Sequence, residues 1–135
     1  MPLTYNNDGF KLVISAGVAD ETKGKRRWTR VEANFMGYPC SDLEGLAALK
    51  AVLDCFRRGQ LGRGESQPCL GMEAEGVLCG IKQKDKVQYL HVQRVADGRV
   101  VDEAYLAQLD AARLEMAVGK ALQFLAPGTS WGPGQ

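Results

Sequence analysis

The stretch Ser41–Gly59 constrains the fold most. Leu46, Leu49, Leu53 and Phe56 recur at steps of three and four, which places them on one helical face, and Val52 widens it. Lys50, Asp54 and Arg58 follow at i, i+4 spacing on the other side, with Asp54 before Arg58 in the favourable order. Ser41 and Glu44 have the spacing of a capping box, in which each side chain satisfies the other's free backbone N–H. Gly59 follows two arginines, as at a helix C-terminus. The spacing predicts a helix over about 42–58. Its leucine face needs an apolar surface to lie on.

Alternating segments on both sides can supply one. Phe10, Leu12, Ile14, Ala16 and Val18 alternate with Lys11, Val13, Ser15 and Gly17. Val31, Ala33 and Phe35 alternate with Arg30, Glu32 and Asn34. The two runs predict an antiparallel hairpin with one wet face, closed by a charged loop over 20–25. Residues 1–8 read as a loose polar tail, and Gly37 to Pro39 as the end of the hairpin. After the helix, the glycines of 59–68 indicate a mobile loop. Leu70, Met72 and Ala74 alternate with Gly71, Glu73 and Glu75 as a third strand, and Gly76 marks a turn or bulge. Residues 77–81 and 87–95 form a further hairpin about the polar turn 82–86.

Asp97-Gly98 ends the strand region in this scheme. Asp102 and Glu103 then open a long helix running to Leu125, with negative charge where the helix dipole favours it. Pro127 and Gly128 stop it, and 127–135 reads as a second loose tail. The predicted order is β-β-α-β-β-β-α in a single domain over 1–135. The fold class is α+β: a two-layer sandwich of an antiparallel sheet of about five strands and two helices. The helices lie on one sheet face or on opposite faces. No internal repeat is visible.

Composition narrows the function. A net charge of +1 on 135 residues argues against a general polyanion binder. Cys40, Cys55, Cys69 and Cys79 form no C-x-x-C pair, so they read as reduced, buried small hydrophobes. With a single histidine, neither a metal nor a cofactor is expected. No apolar run approaches a membrane span, and the N-terminal residues lack a signal-peptide pattern. The expected location is cytoplasmic, with no membrane partner.

Few residues suggest catalysis. His91 lies in a strand with Tyr89 and Gln93 on its face, and Cys79 on the preceding strand is a conceivable nucleophile for it. No third group marks itself as the orienting partner. Glu73 and Glu75 share a strand face, which more often faces water than performs acid–base chemistry. Gly59, Gly62 and Gly64 follow a helix and lack the Lys-Ser or Lys-Thr of a phosphate loop.

Two surfaces remain. Lys23, Lys25, Arg26, Arg27 and Arg30 surround Trp28, and Arg57, Arg58 and Arg63 could join them as a nucleic-acid-binding face. The second helix offers more. Ala104, Ala107, Ala111, Leu114, Val118, Leu122 and Leu125 form its core stripe. Leu106, Leu109, Met116 and Phe124 fall outside that stripe, with Tyr105 beside Leu109. Either the helix breaks near Gly119, or this ridge meets another chain. The expected function is therefore a small non-enzymatic protein-binding module: an inhibitor, immunity-type protein or adaptor. Its partner-binding residues are Tyr105, Leu109, Met116 and Trp28, and its partner is another protein or a second copy of itself. The alternative is a nucleic-acid binder using the basic hairpin 23–30.

Overall fold

The computed structural model describes residues 3–7, 9–21, 24–61 and 67–126; at 3, 7, 16–21 and 25–29 the description is of the backbone. Phe10–Glu21 (β2) and Gly24–Phe35 (β3) form the expected antiparallel hairpin, with Phe10 opposite Phe35, Leu12 opposite Ala33 and Ile14 opposite Val31. All six side chains are buried, while Lys11, Arg30 and Glu32 are exposed. The period-two pattern thus sends one face to the core. The strands run through most of the stretch expected as a loop.

Leu3–Asn7 (β1) pairs with β2 where a loose tail was expected. Tyr5 stands opposite Leu12 and packs its ring 6.0 Å from that of Phe10. Tyr5 packs against the core from this strand. Tyr38–Pro39 (β4) completes a sheet of order β1-β2-β3-β4.

The helix at the centre of the chain, Leu43–Arg57 (α1), has the expected face: Leu46, Leu49, Leu53 and Phe56 are buried and Val52 packs beside them. Asp54 and Arg58 pair at 3.3 Å. Its cap differs. Asp42 is the N-cap, and its Oδ1 accepts from the Gly45 N–H at 2.8 Å. The expected Ser41–Glu44 box does not form, because Ser41 Oγ turns to β3. There it accepts from the Ala33 N–H at 2.8 Å and donates to the Ala33 carbonyl at 3.1 Å. Asp42→Ala is expected to cost about 1 kcal/mol as a lost cap, and Ser41→Ala a similar amount, about 1 kcal/mol, as a lost strand contact. Hydrogen exchange separates them: the first should speed exchange at Gly45 and the second at Ala33. The reverse pattern would restore Ser41 as the cap.

Gln67–Gly71 (β5), Gly76–Lys84 (β6), Val87–Ala96 (β7) and Arg99–Leu106 (β8) form a second antiparallel sheet in chain order. The expected hairpin of β6 and β7 turns at Asp85-Lys86, both at positive φ, as two-residue hairpin turns require. The third expected strand is cut short at Gly71. Met72–Glu75 is a turn closed by the Met72 N–H to Glu75 carbonyl bond at 2.9 Å, and Met72 is exposed rather than core. Gly76 stands at the turn's exit, where a Cβ would collide with the Leu70 carbonyl.

The largest correction follows Asp97-Gly98. Both residues have positive φ and make a second two-residue turn, so the chain folds back on β7 as β8 instead of entering a helix. Val100, Val101 and Tyr105 suit a strand, and this outweighs the helix-start signal of Asp102 and Glu103. The second helix, Gln108–Leu125 (α2), begins after Ala107, whose N–H donates to Asp110 Oδ2 at 3.2 Å. It continues through Gly119 without a break. The single five-stranded sheet is therefore replaced by two four-stranded ones, each followed by a helix. The order repeats although the residues do not.

One cluster of buried side chains draws on both sheets and both helices. The helices pack on each other. In addition α2 lies against β2 and β3, and α1 touches β5, so each helix reaches the sheet of the other half. Among the described residues, no helix is long and apolar enough to cross a membrane.

Candidate functional site

Three faces of α2 have three different environments. Ala111, Leu114, Val118 and Leu122 are buried, as the core stripe requires. The stripe's ends differ: Ala104 lies in β8, Ala107 caps the helix and Leu125 is exposed.

A second face meets α1 through charge. Glu115 is buried and accepts from Lys50 Nζ at 3.1 Å and from Arg57 at 2.7 Å. Lys50, expected on the wet side of α1, is buried with it. Desolvation pushes the Glu115 carboxyl up, but the hydrogen bonds and charges of Arg57 and Lys50 outweigh it and hold the group below its ordinary value.

The outer face carries the unexplained apolar residues. Leu109 is 68% exposed and Met116 72%. They are seven positions apart, two turns, and so share a face. Arg113 and Lys120 are exposed on the same side. Met116 forms part of two grooves. One, of about 250 Å³, runs between α2 and the strands β1 and β2. The other, of about 320 Å³, lies toward α1 over the Lys50–Glu115 pair. Two members of the expected ridge sit elsewhere. Leu106 is buried in β8. Tyr105 also belongs to β8, where its ring stacks on His91 at 4.6 Å and carries Lys84 Nζ 4.1 Å above it. Phe124 is exposed near the helix end.

His91 has a partner that the sequence does not mark: Glu103 Oε2 lies 3.2 Å from its Nε2. Cys79 does not join them. It is buried, stands opposite Val92 in the register and contacts Cys69 Sγ at 2.7 Å. The Cys69 contact first, and burial second, push the Cys79 thiol well above its ordinary range. Burial first, then Asp42 and Cys69, pushes Cys40 up to about 12. Neither thiol is set up as a thiolate nucleophile at neutral pH. Glu73 and Glu75 lie in the turn after β5, not on one strand face, and Glu75 is paired with Arg94 at 2.8 Å. Among the described residues, no group of histidine, cysteine and carboxylates could hold a metal ion.

The basic residues of the expected nucleic-acid face whose side chains are described each pair with a carboxylate. Arg30 pairs with Glu32 at 2.8 Å, Arg57 with Glu115 and Arg58 with Asp54. Lys23 and Arg63, and the side chains of Lys25, Arg26, Arg27 and Trp28, lie outside the described residues.

Arg113 and Lys120 do not stand out in the sequence. Their signal is the spacing Arg113, Met116, Ala117, Lys120, which puts two cations on one helical stripe with apolar residues between them. The chain matches no family model, and no curated protein is significantly similar to it.

Proposed function

We propose that the chain is a small non-enzymatic protein-binding module whose contact surface is the outer face of α2. The observation that carries this reading is the exposure of Leu109 and Met116 on one helical face, beside an apolar groove. Large apolar side chains exposed together favour association, which removes their area from water at about 25 cal/mol per Å². Tyr105, expected on the same ridge, lies instead in β8 against His91 and Lys84 and is no part of this surface. Nucleic acid binding has less support, because Arg30, Arg57 and Arg58 are each engaged by a carboxylate.

The test is the double change Leu109→Glu with Met116→Glu. Both positions are exposed, so circular dichroism should show an unchanged fold. Light scattering after size exclusion reports self-association, and quantitative recovery of host proteins on the immobilised chain reports a heterologous partner. The wild type should self-associate or retain a partner that the variant loses. A monomeric wild type that recovers the same proteins as the variant would refute the reading.

A further inference from the structure

We infer that the groove between β1 and α2 receives an acidic, amphipathic segment of a protein partner, seating one apolar side chain beside carboxylates held by Arg113 and Lys120. This rests on the reading of the outer face of α2 as the contact surface, and it specifies the partner's chemistry.

The groove has an apolar floor and a cationic rim. Leu12 of β2 and Ala117 of α2 form its buried floor, Tyr5 and Thr4 of β1 one wall and Met116 the other. Its volume of about 250 Å³ suits one large aliphatic or aromatic side chain. Arg113 and Lys120 stand at the two ends of the helical wall, seven residues and so about 10 Å apart along the axis. Arg113 gives one bond to Asp110 at 2.6 Å. A guanidinium has five N–H donors in a fork, so capacity remains for a second carboxylate. Lys120 makes no ion pair among the described residues. An unmatched cation and a half-matched one, flanking an apolar slot, complement an apolar anchor with acidic neighbours. A basic or uncharged segment would leave Lys120 without a counter-charge at the contact.

The experiment is selection of phage-displayed random peptides on the immobilised full chain, followed by fluorescence titration of the selected peptides. Three variants are compared with the wild type: Lys120→Glu, Thr4→Trp to fill the groove mouth, and Leu109→Glu on the outer face beyond the groove. Lys120 and Thr4 are exposed, and melting curves confirm that each variant folds. The selected peptides should carry Asp or Glu around a Leu, Ile, Phe or Trp. Lys120→Glu and Thr4→Trp should each weaken binding by at least about tenfold, and added salt should weaken the wild type further. Enrichment of basic or neutral peptides overturns the inference, as does a loss below about twofold in both groove variants. If Leu109→Glu, outside the groove, abolishes binding while the groove variants do not, the α2 surface stands and the groove falls. Failure to select any peptide overturns the inference too. A titration with decanoate alone covers a small amphiphilic carboxylate: saturable binding of it, with no peptide selected, would replace the protein partner by a lipid-like one.

Discussion

Glu115→Ala is expected to lower stability by about 3–5 kcal/mol. The carboxylate is the counter-ion of Lys50, whose side chain is only 9% exposed, and it also accepts from the more open Arg57. Deleting it leaves a largely buried ammonium group in the α1–α2 contact without its carboxylate. The cost arises from that stranded charge more than from the worth of the pair. The double change Lys50→Met with Glu115→Leu should therefore lose far less, or gain, because it removes both desolvation penalties while keeping the volume. Acid should show the same linkage. Glu115 titrates below its ordinary 4.5 in the folded chain. An unfolded chain then takes up the proton first as pH falls, so the contribution is complete above about 4.5 and is lost as pH drops through the folded value. Urea titrations across this range should show a shallower acid loss for the Lys50→Met, Glu115→Leu chain than for the wild type. Identical profiles would remove the triad from the stability of the fold.

Leu53→Ala is expected to cost about 2–5 kcal/mol. Leu53 has no exposed surface and lies between Leu49 and Phe56 on the buried face of α1. The loss combines the transfer of the missing carbons with the cavity left behind, since a packed core relaxes only partially around it. Leu53→Met should cost less than about 1.5 kcal/mol, because it conserves volume. The midpoint in urea should shift with an unchanged slope. A negligible shift for Leu53→Ala would place the wrong face of α1 in the core.

The periodic segments are legible in the amino-acid sequence itself. Phe10, Leu12 and Ile14, Val31, Ala33 and Phe35, and Leu46, Leu49, Leu53 and Phe56 are buried where their spacing puts them. Each signal is repeated several times within one element, so no distant residue is needed to read it. The exposure of Leu109 and Met116 is legible in the same way, as a surplus over the core stripe of α2. Asp97-Gly98 is legible too: a hairpin turn lies in that dipeptide, but the charges of Asp102 and Glu103 mask it as a helix start.

The remainder depends on partners far along the chain. Lys50 reads as solvated by its place among Asp54 and Arg58, yet Glu115, 65 residues away, buries it. Ser41 and Asp42 are equally good caps by type, and the Ala33 backbone on a neighbouring strand decides between them. Cys79 and His91 sit on adjacent strands, and only the register turns one inward and the other toward Glu103. The division into two four-stranded sheets, and the crossing of each helix to the other half, has no local signature at all. Alternation and helical spacing state which face of an element is apolar. Which other element covers that face is settled only when the whole chain shares one core, because burial is non-directional and the specific bonds that select a partner form across it.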